Sequence, residues 1–288
     1  MIIAFSIAIV LIVLIIMAYL WCIKPGKINE DIKTKIEPFT KTYIAHRGLF
    51  DKKLGIPENS IPAFKRAVQN GYGIELDVRL TKDGKMVVFH DPNIKRMCGS
   101  DVRVCDLTFE ELEKYRLDET DCQIPLFSEV LKVIDGKVPV IIEIKSEKDS
   151  EPTAPVLNKK LEGYRGNYCI ESFDALQIKW YRFNRPDVVR GILVNQYKYR
   201  KKGKVKSEYK HKHLIKLNLL MFNFISRPDF IAHDYKMTNT FTLRLMRKIF
   251  RFYSAAWTIK NQETMDEFSD IMDIFIFDSF IPESKSER

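Results

Sequence analysis

The chain has 288 residues, of which 45% are hydrophobic and 30% charged, and its formal net charge is +9 at pH 7. This composition excludes an intrinsically disordered protein, and the length allows one large α/β barrel or two smaller domains. The five cysteines include no C-x-x-C pair, so we predict neither a zinc motif nor a disulfide framework. An odd number of unpaired cysteines is typical of a reducing compartment.

The first 23 residues predict a transmembrane helix. The run from Ile2 to Ile23 carries no charged side chain and is long enough to cross a bilayer. A signal peptide is the alternative, but it needs a basic start and a small-residue cleavage site, and this run has neither. By the positive-inside rule, the lysines that follow predict that the rest of the chain is cytoplasmic: Lys24, Lys27, Lys33 and Lys35.

Residues 24–40 are polar and contain two prolines and a glycine, which predicts a short linker. Over residues 41–288, short β-branched runs alternate with helical patterns, as in parallel βαβ units. Eight such runs predict a TIM (β/α)8 barrel. The predicted strands are 42–46, 73–78, 138–145, 167–172, 188–194, 229–233, 253–259 and 273–278. The predicted helices include 60–70, 126–135, 152–162, 174–184, 237–251 and 261–270.

One further apolar run, MVVFHD at 86–91, follows the second strand too closely for a parallel crossover. We therefore predict an antiparallel return through the turn at Asp83-Gly84. Symmetric pairing about that turn places Asp77 opposite His90, with Cβ atoms about 5 Å apart. Residues from about 79 to 125 then form a small subdomain inserted after the second strand.

Three acidic residues lie in or at the end of buried strands. Glu75 and Asp77 alternate on the second strand, and Glu143 ends the third. In barrel enzymes the carboxyl ends of the strands carry the active site. Buried carboxylates this close repel each other unless a cation neutralises them, and oxygen ligands favour Mg²⁺ or Ca²⁺ over zinc. The pattern predicts a divalent metal site on these three residues.

Two histidines and two basic residues accompany the acids. His46 ends the first strand and His90 ends the hairpin, and histidines beside such a site suit general acid–base chemistry. Arg47 and Lys145 would add positive charge for an anionic group such as phosphate. The alternatives are a structural histidine and a surface ion pair, which the three neighbouring acids and the buried VPVII run (138–142) disfavour.

Taken together, the motifs resemble the glycerophosphodiester phosphodiesterase family. The resemblance covers roughly residues 41–280 and rests mainly on AHRGLFDKKLGIPENSIPAF (45–64), IELDVRLTKDGKMVVFHD (74–91) and EIK (143–145). It implies a TIM barrel with an inserted subdomain that hydrolyses glycerophosphodiesters to sn-glycerol 3-phosphate and an alcohol. It implies a divalent ion on the three acids, with His46 and His90 as acid–base catalysts. It also suggests the glycerol 2-hydroxyl as the nucleophile.

The chain departs from the family near its end. The last strand, IMDIFIFDSF (271–280), keeps Asp278 but lacks the family's glycine and threonine. Such changes at the rim bear on the alcohol group that is accepted rather than on the metal site. Two further residues have open alternatives. Glu58 either precedes a helix cap or bonds to the metal shell, and Trp257 either lines the substrate pocket or packs in the core. His233 and Asp234 could line the mouth, although a plain loop is favoured.

Positive charge is concentrated at residues 197–213, with eight Lys/Arg against one Glu. A solvated loop and attraction to an anionic leaflet are both compatible with this run. No nucleic-acid recognition fold is evident, so no nucleic-acid partner is expected.

We therefore predict a membrane-tethered phosphodiesterase. The alternatives are lysophospholipase D-type cleavage of membrane lysophospholipids and a non-catalytic membrane-bound phosphate or lipid binder.

Overall fold

The computed structural model describes residues 2–146, 153–195 and 220–283. Eight strands pair in parallel around a closed ring, because the first strand pairs with both the second and the last. The prediction of a TIM (β/α)8 barrel is confirmed. The strands of the ring are β1 (Ile44–His46), β2 (Gly73–Leu80), β4 (Val140–Ile144), β5 (Tyr168–Ser172), β6 (Arg190–Val194), β7 (Phe230–Asp234), β8 (Tyr253–Ile259) and β9 (Ile274–Phe277).

Amphipathic helices cover the outside of the ring. In α3 (Ile61–Gln69), Ser60 caps the first turn by accepting a hydrogen bond from the Ala63 amide, and Ala63 and Phe64 are buried. This cap turns the chain into its helix directly after Glu58 and Asn59, next to the carboxyl end of β1. The other outer helices are α6 (Phe127–Ile134), α7 (Thr153–Lys160), α8 (Ala175–Asn184), α9 (Asn223–Ser226), α10 (Phe241–Ile249) and α11 (Gln262–Glu267).

The segment expected to be a polar linker differs from that expectation, since it contains helix α2 (Glu30–Lys41). Asn29 caps it by accepting a hydrogen bond from the Ile32 amide at 2.8 Å. Ile32, Ile36 and Phe39 are its buried residues, spaced i, i+4 and i+7, and they pack into the cluster that fills the barrel interior. Polar residues dominate the segment because only one face of α2 is buried, where it closes the amino-terminal end of the barrel.

Helix α1 (Ile2–Ile23) precedes the barrel and is, among the described residues, the one helix long and apolar enough to cross a membrane. Side chains from Ile3 to Met17 are exposed, whereas Ile23 is fully buried. Only the last turn of α1 therefore packs on the barrel.

The hairpin after β2 forms as predicted, but its register differs by one residue. Strand β3 (Met86–Val88) pairs antiparallel with β2, with Val78 opposite Val88. The loop spans residues 82–84, with Gly84 in the left-handed region at φ 71°, rather than the two residues of a tight turn. Phe89 is consequently the residue opposite Asp77, and its amide donates to the Asp77 carbonyl at 2.9 Å. The prediction that His90 lies directly opposite Asp77 is wrong.

His90 instead reaches the barrel mouth from a bend beyond β3. Arg79 holds this bend by donating two hydrogen bonds to the His90 carbonyl, at 3.0 and 2.7 Å. The rest of the insertion contains α4 (Lys95–Cys98) and α5 (Phe109–Leu112) and has a small apolar core of its own. That core is formed by Val87, Phe89, Ile94, Met97, Val104, Leu112, Leu117 and Ile124.

Candidate active site

The three predicted metal ligands converge at the carboxyl end of the barrel. Asp77 on β2 and Glu143 on β4 are register partners, and Glu75 lies two residues earlier on the same face of β2. One oxygen from each carboxylate lies within 4.8 Å of the others, and all three side chains are buried. Strand register therefore builds the cluster, because side chains alternate along a strand and partners on parallel strands lie side by side.

Burial and mutual repulsion shape the ionisation of these acids. Burial, followed by the neighbouring Asp77 and Glu143, raises the pKa of Glu75 well above its usual range. Burial also raises the pKa of Glu143, and Lys145 only partly offsets it. The nearby lysine and arginine therefore do not fully stabilise the ionised forms of these carboxylates. The possible metal ligands at this point are all oxygen atoms. This donor set fits a hard divalent cation such as Mg²⁺ or Ca²⁺.

Lys145 lies inside the cluster. Its ammonium is 2.5 Å from Glu143 Oε1 and 2.9 Å from Asp77 Oδ1. These carboxylates outweigh the effect of burial and raise the pKa of Lys145. Although burial opposes ionisation of Asp77, Lys145 and other nearby cations hold the pKa of Asp77 well below its usual range. These opposite shifts favour an ionised Asp77 and a charged Lys145.

Arg47 is directed into the site by an unusual turn. Its φ is 57° and that of Gly48 is 78°, and a Cβ on Gly48 would come within 3.0 Å of Ala63 and Phe64. The Arg47 amide donates to Glu75 Oε2 at 3.0 Å, and its guanidinium donates to Glu58 Oε1 at 2.7 Å. The turn after β1 thus contributes both a backbone donor and a fixed cation.

Glu58 precedes the cap of α3, which is Ser60, and also contributes to the site through two arginines. Besides Arg47, it accepts hydrogen bonds from Arg96 at 2.6 and 3.1 Å. Burial opposes ionisation of Glu58, but the two arginines lower its pKa.

Each predicted catalytic histidine has a carboxylate at Nδ1. His46 Nδ1 lies 3.2 Å from Asp278 Oδ2, and His90 Nδ1 lies 2.6 Å from Asp91 Oδ1. A carboxylate there accepts the Nδ1 proton and leaves Nε2 toward the site, and His46 Nε2 is 3.9 Å from Glu75 Oε2. Burial lowers the pKa of His46, so its neutral imidazole is favoured.

Two cavities open at this end of the barrel, and both have His46 and Arg47 in their walls. The inner cavity of about 150 Å³ is lined by Glu75, Glu143, Glu171, His90 and Lys145, with an apolar wall formed by Phe173, Leu193, Trp257 and Ile276. The outer groove of about 690 Å³ runs between residues 48–53 and residues 277–281. Trp257 therefore lines the pocket. Its ring also packs edge-on against that of Phe173, with the ring centroids 6.0 Å apart.

His233 takes neither of the positions considered for it. It lies within β7, is fully buried, and does not line either cavity as far as the described residues define them. Its Nδ1 donates to the Asp234 carbonyl at 3.0 Å, and burial lowers its pKa to about 4. The basic run at 197–213 lies outside the described residues.

Three residues near the acids were not assigned from the sequence. Glu171 on β5 is the register partner of Glu143, is buried, and its Oε2 has no hydrogen-bond partner among the described residues. Asn59 donates to Asp77 Oδ2 at 2.8 Å, and Arg96 bonds to both Glu58 and Asp91. Glu171 could have been predicted, because it is an acid inside the buried strand YCIES. Arg96 could not, because it lies in the insertion, where the sequence has no periodic pattern.

A model of the glycerophosphoryl diester phosphodiesterase family matches residues 46–278. The chain belongs to this family. A glycerophosphodiester phosphodiesterase of Caldanaerobacter subterraneus is 46% identical over 111 residues, which cover 36% of this chain and 44% of the relative. A lysophospholipase D of Rattus norvegicus is 37% identical over 124 residues, 38% of each chain. The chain thus spans less than half the length of these two relatives.

Solved structures of other proteins share the fold. A Thermotoga maritima glycerophosphodiester phosphodiesterase is 26% identical, with a TM-score of 0.58, over 82% of this chain and 94% of that one. An Oleispira antarctica phosphodiesterase, solved in complex with the product sn-glycerol-3-phosphate, is 19% identical, with a TM-score of 0.64. Its match covers 83% of this chain and 92% of that one. These likenesses agree with the closed barrel described above.

Proposed function

We propose that the protein hydrolyses glycerophosphodiesters to sn-glycerol 3-phosphate and an alcohol, using a divalent cation, at a membrane surface. The observation that carries this proposal is the convergence of three buried carboxylates with two histidines, each histidine having its own carboxylate partner. Family membership supports the reaction class, and helix α1 supports the membrane location.

Glu75, Asp77 and Glu143 would hold the cation, Mg²⁺ or Ca²⁺. When bound, the ion would supply charge stabilisation for the phosphate oxygens. Arg47 and Lys145 contribute fixed positive charge around the same point, and charge-assisted hydrogen bonds from these groups favour the growing charge of the transition state. Glu58 and Asp77 hold Arg47 in place, with Arg47 Nε 3.5 Å from Asp77 Oδ2.

His46 and His90 act as the acid–base pair in this proposal. One imidazole accepts a proton from the nucleophile through Nε2, and the other protonates the leaving alkoxide. Asp278 and Asp91 fix the rings by accepting the Nδ1 protons. The nucleophile that the family resemblance suggests is the glycerol 2-hydroxyl, which would give a cyclic phosphate before water opens it.

A lysophospholipid is the second candidate substrate, and the outer groove favours it. The groove begins at His46 and is bordered by Leu49, Phe50, Phe280 and Ile281, so an acyl chain would find apolar walls beside the catalytic histidine. A relative that carries the name lysophospholipase D agrees with this possibility. A non-catalytic lipid binder is disfavoured because every histidine and acid of the site is in place.

A substrate panel tests the proposal on the full chain reconstituted in vesicles. Glycerophosphocholine and lysophosphatidylcholine would each be incubated with Mg²⁺, with Ca²⁺ and with a chelator. We expect metal-dependent release of glycerol 3-phosphate from the first substrate, or of lysophosphatidic acid from the second, with the ratio defining the preference. Absence of product from both substrates with either ion would refute the catalytic proposal in favour of the lipid binder.

We also propose a single-pass protein whose barrel is cytoplasmic. The lysines after α1 support this orientation, and none of the five cysteines, each in a described segment, forms a disulfide. Protease added to intact cells should leave the barrel uncut, and protease added after lysis should digest it. Digestion in intact cells would reverse the orientation.

A further inference from the structure

The last turn of α1 is fixed to the barrel by specific contacts rather than by a flexible tether. Asn223 donates to the Ile23 carbonyl at 2.8 Å, and Arg227 donates to the carbonyls of Trp21 and Lys24 at 3.0 and 2.6 Å. The Arg227 guanidinium also lies 5.1 Å from the Trp21 ring centroid. The direction in which α1 leaves the barrel is therefore set by the fold.

Two contacts show that direction. The Tyr19 hydroxyl lies 3.2 Å from Thr242 Oγ1, in the first turn of α10, which follows the carboxyl end of β7. The Gly26 amide donates to the Pro228 carbonyl at 2.7 Å, just before β7 begins. From residue 19 to residue 26 the chain thus descends from the mouth end of the barrel to its closed end. The preceding part of α1 leaves the body on the mouth side.

Exposed apolar side chains occur on the same side. Leu54, Leu176 and Phe241 each follow the carboxyl end of a different strand and are 63%, 62% and 75% exposed. Ile281, after β9, is 56% exposed and borders the outer groove. The closed end has its own exposed apolar residues, among them Phe183 at the end of α8, which is 64% exposed. Apolar exposure alone therefore does not distinguish the two ends.

Positive charge lies beside the outer groove at the mouth end. Lys52, Lys53 and Lys260 line the outer groove and are exposed. Exposed lysines next to exposed apolar residues are the composition that binds an anionic lipid surface. At the mouth these features surround the entrance to the catalytic cavity.

We propose that the barrel docks mouth-first on the bilayer that holds α1. Leu54, Leu176, Phe241 and Ile281 then contact the headgroup and upper acyl region, and the outer groove opens into the leaflet. A lysophospholipid substrate then reaches His46 from the membrane rather than from bulk solvent. This inference rests on the proposed membrane location, and it names the side of the barrel that faces the lipid.

Depth-dependent quenching tests the orientation without requiring turnover. The Phe241→Trp and Phe183→Trp chains, each full length, would be reconstituted in phosphatidylcholine vesicles containing a minority of phosphatidylglycerol. Flotation of the vesicles confirms that α1 is inserted. Brominated phosphatidylcholine should quench the added fluorescence of Phe241→Trp, relative to the unsubstituted chain, and leave that of Phe183→Trp unchanged. Equal quenching of both, or stronger quenching of Phe183→Trp, would overturn the proposal.

A kinetic test uses the matched pair Phe241→Ser and Phe183→Ser, with Leu176→Ser as a second mouth variant. None of these residues lines the cavities. We expect both mouth variants to lower turnover of vesicle-borne lysophosphatidylcholine by about tenfold, the lower end of the range for fully burying one large apolar side chain. Their turnover of soluble glycerophosphocholine and all rates of Phe183→Ser should be unchanged. Equal losses on both substrates, or no loss on the lipid, would contradict docking at the mouth.

Discussion

The two halves of the chain contribute different groups to the site. The half from β1 to β4, with the hairpin, supplies the charged groups, namely His46, Arg47, Glu58, Glu75, Asp77, His90, Glu143 and Lys145. The half from β5 to β9 supplies mostly apolar surface, with Glu171 and Asp278 as its acids. The reacting groups are therefore concentrated in one half, and the shape of the pocket is set largely by the other.

This division agrees with the sequence, whose resemblance to the family is strongest up to residue 145 and weaker beyond it. Metal and acid–base chemistry allow few residue types, because charge and geometry are both specified. An apolar wall allows many, since side chains of similar volume substitute for one another. If the two halves are separable, substitutions in the first should lower catalysis and metal dependence, and substitutions in the second should change mainly substrate preference.

His90→Ala should lower kcat by about 10³-fold, within the range for loss of a general acid or base. Glycerol 3-phosphate release measures it, and circular dichroism with thermal unfolding checks the fold. Near-normal activity would remove His90 from the acid–base pair.

Glu143→Gln and Glu171→Gln form a matched pair across the boundary, because the two residues are register partners. Glu143→Gln should lower activity at least about hundredfold, the scale for loss of one electrostatic stabiliser, and should raise the metal concentration needed. Metal titration of both variants gives these values.

Glu171→Gln should stay within about threefold of the wild-type rate, because burial and Glu143 raise the pKa of the Glu171 carboxyl and favour its protonated form, which glutamine resembles. A large loss of activity in Glu171→Gln would instead indicate that Glu171 belongs to the metal site. The second half of the chain would then also supply a metal ligand.

Arg96→Ala should lower kcat by about tenfold to hundredfold, since small misplacements of catalytic groups have effects of this size. Arg96 bonds to Asp91 and Glu58, and so positions His90 and Arg47 without lining the inner cavity. Arg96→Lys should restore only part of kcat, and KM should change little. The control is Lys95→Ala, whose exposed side chain pairs with Asp101 outside the site. Equal effects of Lys95→Ala and Arg96→Ala would indicate a general loss of insertion structure.

Trp257→Phe should have the smallest effect, a change of about tenfold or less in the ratio of kcat/KM for two head groups, as is typical of apolar pocket contacts. Chelator sensitivity should be unchanged. A shift in metal requirement would show that the second half also contributes to the charged chemistry.

One clear difference between the prediction and the structure is the pairing register of β2 and β3, which is shifted by one residue. A D-G turn was evident, but whether its loop has two or three residues depends on how β3 packs against β2 and the insertion core. His90 still reaches the acids, because the chain leaves the ladder at Phe89 and Arg79 holds the bend. Helix α2 was missed because its three buried residues are separated by polar ones, and only the open end of a barrel gives that face a partner.

From the sequence alone, the alternation of strands and helices predicted the barrel. Acids within buried strands indicated Glu75, Asp77 and Glu143 as candidate metal ligands. These are local patterns, expressed in residue type and period along a single segment. The tertiary structure alone decided which distant groups meet. It placed Asp278 beside His46, Glu171 beside Glu143, Arg96 between Asp91 and Glu58, and the last turn of α1 against Arg227. Closing the ring brings together residues more than two hundred positions apart, as with His46 and Asp278, and no local pattern carries that information.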